Sequence, residues 1–328
     1  DGGHVSRMPD RHMLLLRQLV ELRIAAAYAG VGIEERLDEV IKKMGTFGRM
    51  WRHGDGKMAN FNGAGMINAA HVEEILNRTG TSSKVLQQAP LSGFMRFASG
   101  RTTLILDTGT PASHDTSADF TVGHGTLSFE MSIGNTQLIV NTGQTAADPN
   151  LRHLLCSTSA HSTVSIDDQN SSDPESGRIA RVSNVEVGPA TGGILATASH
   201  DGFESSHGIL HHRKLYLAAG GGNLRGSDEL EYTGAPGEIP RYAILRFHLH
   251  NRVSAAILGN GQVLIKIKGN KTGWLFKAAG GEVGLDNSVY FDAGIRHSCQ
   301  QIVMRAPISE IRTLARHELK WAFRRSDS

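Results

Sequence analysis

The chain has 328 residues, enough for two domains that each build a core. Charged residues make up 20% and the hydrophobic set 39%, the balance of a soluble globular protein and not of a disordered chain. A net charge of only +2 gives no pull toward nucleic acid or a membrane surface, and no stretch is long and apolar enough to span a bilayer.

The segment up to about Thr79 carries helical spacing. From Pro9 to Tyr28, Leu15, Leu19 and Leu22, flanked by Leu16, Val20 and Ile24, make a wide apolar face. Pro9 suits a first turn, and Gly30 with Gly32 ends the segment. Ile33, Leu37, Val40, Ile41 and Met44 keep helical spacing, and Gly45 is expected to stop it. A glycine-rich loop follows, "RHGDGKMANFNGAG", from Arg52 to Gly65. Asn68 can then cap a third helix carrying Val72, Ile75 and Leu76.

After about Leu91 the spacing changes to strict alternation. Strands are predicted at Thr102–Leu106, Leu127–Ile133, Gln137–Asn141, Thr163–Asp167, Lys214–Leu217, Ala243–Leu249, Val263–Lys268 and Gln301–Met304. The clearest is in "VGHGTLSFEMSIGNTQLIVNTG", where Leu127, Phe129, Met131 and Ile133 alternate with Ser128, Glu130 and Ser132 before a Gly134-Asn135 turn. Many short strands without intervening helices predict an antiparallel sandwich, so the fold class is α+β. "AAGGGNLRG", Ala218 to Gly226, reads as a β-turn, since no helix follows it as a dinucleotide loop requires.

Several places concentrate chemistry-bearing side chains. His4 and Arg7 stand on a turn before the first helix, where they either bind an anion or simply open the helix with solvated charges. The loop from Arg52 collects His53, Asp55, Asn60, Phe61 and Asn62, a set that can line a sugar-binding groove or form a pair of tight turns. His124 stands alone between Gly123 and Gly125 at the mouth of the hairpin. His211 and His212 fall on opposite faces of a strand, which disfavours a metal pair there. Cys156 and Cys299 have no metal-ligand spacing and are read as free buried thiols. No Ser-His-Asp order and no nucleophile elbow is present.

Together, "DGGHVSRMPDRH", "RMWRHGDGKMANFNG", "GTLSFEMSIGNTQLIVNTG", "AHSTVSIDDQNSS", "HHRKLYL", "LRGSDEL", "RFHLH", "GWLF" and "QQIVM" resemble the heparinase II/III-like family of polysaccharide lyases, in its C-terminal portion. The resemblance implies the end of an (α/α) toroid over residues 1–85 and a large antiparallel β-sandwich over 86–328. The missing N-terminal part of the toroid is an expected partner. The start at Asp1, without an initiator Met, is expected to be a cut or processed end.

The family's chemistry is β-elimination on a uronate-containing acidic polysaccharide. A side chain neutralises the substrate carboxylate, a Tyr or His takes the C5 proton, and a Tyr or His protonates the leaving oxygen. By resemblance His4, His53 and His124 are the catalytic candidates, and Arg7, Arg52, Asp55 and Asn62 the substrate-binding ones. His161 matches a histidine that, with His124, is a candidate metal ligand. A structural zinc is possible there but not favoured, because Asn141 stands where relatives have an acidic residue and a neutral amide is a poor ligand. Relatives also carry an H-x-H-x-D run where this chain has His124 alone. None of its five tyrosines, Tyr28, Tyr216, Tyr232, Tyr242 and Tyr290, is expected in a toroid loop. The expected function is a polysaccharide lyase. The alternative is a non-catalytic carbohydrate-binding or envelope-associated protein on the same scaffold. A glycoside hydrolase lacks a convincing carboxylate pair. The family implies the periplasm or cell envelope, with the cytoplasm as the alternative.

Overall fold

The computed structural model describes residues 1–32, 34–81, 85–111, 123–144, 148–174, 176–269 and 272–326. Three helices lead: α1 (Pro9–Tyr28), α2 (Glu35–Met50) and α3 (Ala69–Asn77). Pro9 occupies the first turn of α1, and the Asn68 side chain caps α3 by accepting from the Ala70 N–H at 2.8 Å. Ile33 lies outside the described residues.

Gly45 does not end α2, which continues to Met50. Gly45 and Gly48 are there for closeness. A Cβ at Gly45 would lie 2.6 Å from Thr79 Oγ1, and one at Gly48 would lie 3.3 Å from His12 Nε2 and from Met13 Sδ. Only part of the predicted apolar face of α1 is covered: Leu16 and Val20 are buried, whereas Leu22 is 55% and Ile24 45% exposed. Three helices do not close a ring, and the toroid itself is not in this chain.

The strands follow in chain order. β1 (Gln88–Ala89), β2 (Phe94–Ser99), β3 (Thr102–Asp107), β4 (Phe129–Ile133) and β5 (Thr136–Val140) precede a short helix, α4 (Pro149–Leu155). β6 (Val164–Ile166), β7 (Val182–Ala190), β8 (Gly193–Phe203), β9 (Ile209–Ala218), β10 (Asn223–Tyr232) and β11 (Tyr242–Leu249) come next. β12 (Val253–Ile257), β13 (Val263–Ile267), β14 (Gly273–Ala279), β15 (Glu282–Asp292), β16 (Ile295–Pro307) and β17 (Arg316–Ser326) complete the set.

They form two antiparallel sheets. One has nine strands in the order β1-β2-β3-β4-β5-β11-β16-β15, with β6 also paired to β11; the other has eight, β12-β13-β14-β17-β10-β9-β8-β7. The sheets share one core in which Phe129, Phe247, Trp321 and Phe323 stack and cross, Phe129 lying parallel to Trp321 at 5.6 Å. A second core joins the helices to the nine-stranded sheet. Phe47 and Trp51 meet edge to face at 4.6 Å, and Trp51 meets Phe94 of β2 at 5.1 Å. The helices therefore lie on the outer face of that sheet, and their core includes strand residues.

Each predicted strand is present. The one predicted from Leu127 starts at Phe129, because Leu127 takes a left-handed φ of 59°. The Ala218–Gly226 turn also stands, closed by Gly221 N–H to Ala218 O at 2.9 Å. The eight-stranded sheet was foreseen only at β9 and β13, because its outer rows break the hydrophobic alternation with charged and small residues.

Candidate functional site

Alternation on β4 sends Phe129 and Met131 into the sandwich core and turns Glu130 and Ser132 toward the helical layer. There Glu130 organises the loop from Arg52 to Gly65. Its Oε1 accepts the Asn60 and Asn141 N–H groups, each at 2.9 Å, and its Oε2 lies 2.9 Å from His53 Nε2. His53 Nδ1 meets Ser132 Oγ, also at 2.9 Å. Both side chains are almost wholly buried, so this is a buried, fully bonded clasp between loop and sheet.

Beyond the clasp, glycines let four backbone segments meet. A Cβ at Gly123 would lie 2.5 Å from Asn62 Cα, one at Gly63 3.2 Å from Cys156 Sγ, and one at Gly125 2.3 Å from His161 Cδ2. His124 therefore stands beside Asn62 on one side and His161 on the other. Its backbone is fixed: its N–H donates to Cys156 O at 2.8 Å, and its carbonyl accepts from Thr158 Oγ1 at 2.6 Å and Ser171 Oγ at 3.0 Å. Its imidazole is not tied down in the same way, since Nδ1 is buried without a hydrogen-bond partner among the described residues.

Burial, reinforced by His161 and His153, pulls the His124 imidazole down to about 4. Burial likewise takes His161 to about 4, against the opposing pull of the Ser157 carbonyl. That carbonyl accepts from His161 Nδ1 at 2.7 Å, so Nδ1 carries the proton and Nε2 the lone pair. Two neutral imidazoles thus adjoin, with proton-accepting capacity at neutral pH. Burial pushes the neighbouring Cys156 thiol up to about 12, so it is no nucleophile.

The other predicted residues are placed as follows. Asn62, at φ 54°, donates from Nδ2 to Arg7 O at 3.0 Å. The Arg7 guanidinium pairs with Asp107, donates to Ser92 O at 2.9 Å, Thr110 O at 3.2 Å and Gly93 O at 3.2 Å, and lies over the Phe94 ring. Burial pushes the Asp107 carboxyl up even with Arg7 beside it. Arg7 thus ties the first turn to β2 and β3. Arg52 pairs with Glu73 on α3. Asp55 caps its own turn through Lys57 N–H at 3.1 Å and accepts from Gln137 Nε2 at 3.0 Å. His4 bonds Ser6 Oγ at 2.7 Å, and its pKa is lowered by partial burial and by Arg11. The structure therefore brings Asn62, His124 and His161 together, sets Arg7 behind Asn62, and places His53 in the clasp.

Among the described residues, no third metal-competent donor joins His124 and His161. Asn141 Oδ1 already accepts from Ser162 N–H at 3.0 Å, and the only cluster of three metal-competent donors among the described residues is His212, Glu229 and Glu231 on the far sheet.

Two groupings escaped the sequence. Tyr290 of β15, 2% exposed, faces His250 at 4.6 Å, and its hydroxyl bonds Gln137. Burial, helped by Glu130, pushes the Tyr290 phenol well up, and burial lowers His250 to about 4. Within the sandwich, Asp228 accepts from His211 Nε2 and Arg213 Nε, each at 2.7 Å, and from Trp321 Nε1 at 2.8 Å. Arg213 reaches across to Leu127 O and Ser162 O, which frame the His124 junction. All these contacts join residues far apart in the chain, and no local pattern announces them.

Comparison with known proteins matches residues 81–314 to the family described as Heparinase II/III-like, C-terminal. Among solved structures, a heparan sulfate lyase HepC mutant from Pedobacter heparinus superposes with a TM-score of 0.75 at 12% identity, covering 100% of this chain and 53% of that one. A heparinase III crystal structure gives 0.70 at 13%, covering 100% and 55%. In sequence, FtsZ-localized protein C of Caulobacter vibrioides is 27% identical over 344 residues, 100% of this chain and 58% of that protein. The chain spans about half the length of these relatives. It belongs to the heparinase II/III-like family.

Proposed function

We propose that this chain is the sandwich portion of a polysaccharide lyase that cleaves a uronate-containing acidic polysaccharide by β-elimination. The observation that carries the reading is the place of His124: a neutral imidazole, lowered to about 4, at a glycine-lined junction beside the Asn62 amide and His161. A neutral imidazole of this kind can accept the C5 proton. The elimination also needs a neutralised carboxylate and an acid for the leaving oxygen. Arg7 and His53 are engaged within the fold, so we assign those two roles to further toroid helices, the N-terminal partner. The exposed Leu14, Leu22 and Ile24 of α1 offer that partner an apolar face.

The test is ultraviolet absorbance of the conjugated C4–C5 double bond after incubation with heparan-type, alginate-type and bacterial-envelope uronates. A second reading keeps the scaffold without catalysis, as an envelope-associated carbohydrate binder. The observation that favours it is that Arg7 and His53 are both engaged within the fold, which leaves His124 without a carboxylate neutraliser or an acid beside it among the described residues. Sugar binding with no ultraviolet product on any substrate decides for this second reading.

A further inference from the structure

The helices cover the outer face of the nine-stranded sheet, and the eight-stranded sheet turns its own outer face to solvent. Leu215, Leu217, Leu224, Leu319 and Phe323 point into the core. Alternation therefore sends Lys214 and Tyr216 of β9, Arg225 of β10, Lys277 of β14 and Lys320 of β17 outward. The register sets them in two adjoining rows. Lys214, Ser227, Lys320 and Ala279 lie side by side across the four strands, and Tyr216, Arg225, Ala322 and Lys277 form the next row.

Cations thus alternate with small residues, in positions two strands apart, roughly 10 Å. The small residues sink the floor between the lysine stems and leave a groove of about 490 Å3, walled by the Tyr216 ring under the Arg225 guanidinium at 5.5 Å. Lys320 pairs with Glu318 at 2.9 Å and Lys214 feels the same carboxylate, while Arg225 and Lys277 have no ion-pair partner among the described residues. A chain of net charge +2 has collected four cations on one shallow groove.

We propose that this groove is a second binding site for acidic polysaccharide, across the sandwich from the His124 junction; its ligand class rests on the function proposed above. A sugar ring lies against Tyr216 and the lysine stems, and the carboxylate or sulfate groups of successive repeats meet Lys214 with Lys320 and Arg225 with Lys277. The sunken floor favours a polymer strand laid in the groove over a lipid surface, which calls for protruding apolar side chains.

The test measures retention of the protein on immobilised heparan sulfate, alginate and neutral dextran, comparing wild type with Lys214→Ser/Lys277→Ser. Expected are retention on the acidic polymers alone, weakened by added salt, and a loss of about tenfold in the variant at unchanged Tm. Lys214→Arg/Lys277→Arg should retain binding. Undiminished binding by the serine variant overturns the proposal. So does an equal loss on vesicles of anionic phospholipid, which makes a membrane the occupant. Ultraviolet product without polymer retention removes the groove and leaves the lyase reading intact. Retention lost in the serine variant, with no ultraviolet product from wild type, supports the groove and removes the lyase reading.

Discussion

The buried imidazoles of His200 and His211 have every ring nitrogen engaged. Gly202 N–H donates to His200 Nδ1 at 3.0 Å, which leaves the proton on Nε2 for His211 Nδ1 at 3.0 Å, and His211 passes its own Nε2 proton to Asp228 at 2.7 Å. Burial pushes the Asp228 carboxyl up, but Arg213 and His211 outweigh it and hold it well below the usual range. His124 and His161 are also buried, yet His124 Nδ1 has no partner among the described residues, and Gly123 and Gly125 let Asn62 and His161 close on it. Burial alone does not distinguish a structural histidine from a chemical one. An unpartnered nitrogen does not either, since His12 Nδ1, His207 Nε2 and His250 Nε2 share it; what sets His124 apart is the junction where glycines bring Asn62 and His161 against it.

The largest effect expected from this contrast is on turnover. With any uronate that yields ultraviolet product, His124→Ala should lower turnover by about 10²–10⁴-fold, the usual contribution of a general base. His211→Gln should lower it only in proportion to lost folded protein, as read by kinetics beside circular dichroism. Equal losses per folded molecule would erase the distinction.

Next comes stability. Asp228→Asn leaves the Arg213 guanidinium buried without its counter-charge, at a cost of about 3–5 kcal/mol. His124→Ala should stay within about 1 kcal/mol of wild type, since it removes no bonded side-chain partner. Urea unfolding of the two variants checks the contrast, and it is sharpest if their midpoints separate clearly.

A smaller effect tests the glycine lining. Gly125→Ala forces a methyl against the His161 ring and should cost about 1–3 kcal/mol. Gly188→Ala on β7 meets nothing within 4 Å and should be neutral or slightly stabilising. Thermal melts of both variants show whether the junction is as tight as its distances require.

The smallest effect is in pH dependence. The folded pKa of His124 and His161 is about 4, below the unfolded value near ~6.5, so the unfolded chain binds more protons between the two. Their contribution to stability is complete above about 6.5 and is lost as pH falls toward 4, with a slope of ~1.4 kcal/mol per pH unit for each imidazole. His124→Gln should flatten the dependence of unfolding free energy on pH by about one proton across that window. An unchanged slope would place His124 in water-like surroundings.

The sequence by itself determined the three leading helices, the β4–β5 hairpin and the class of the whole, but not β1, β2 or α4. Pro9, Asn68 and the helical spacing between them set α1 and α3, and strict alternation set the β4–β5 hairpin, because capping and periodicity are local. It also located the residues that meet at the junction: Asn62, His124 and His161. It misjudged Gly45, whose role is to let α2 approach Thr79, a contact 34 positions away that spacing cannot reveal. Only the tertiary structure decided which candidates are tied up within the fold. His53 and Arg7 read like active-site residues until Glu130 and Asp107 close on them, and His124 reads like a turn residue until Asn62 and His161 are found against its flanking glycines. The physical reason is that chemical availability is what remains after long-range hydrogen bonding is complete, and the partners that complete it are brought together by sheet register and layer packing, not by sequence neighbourhood.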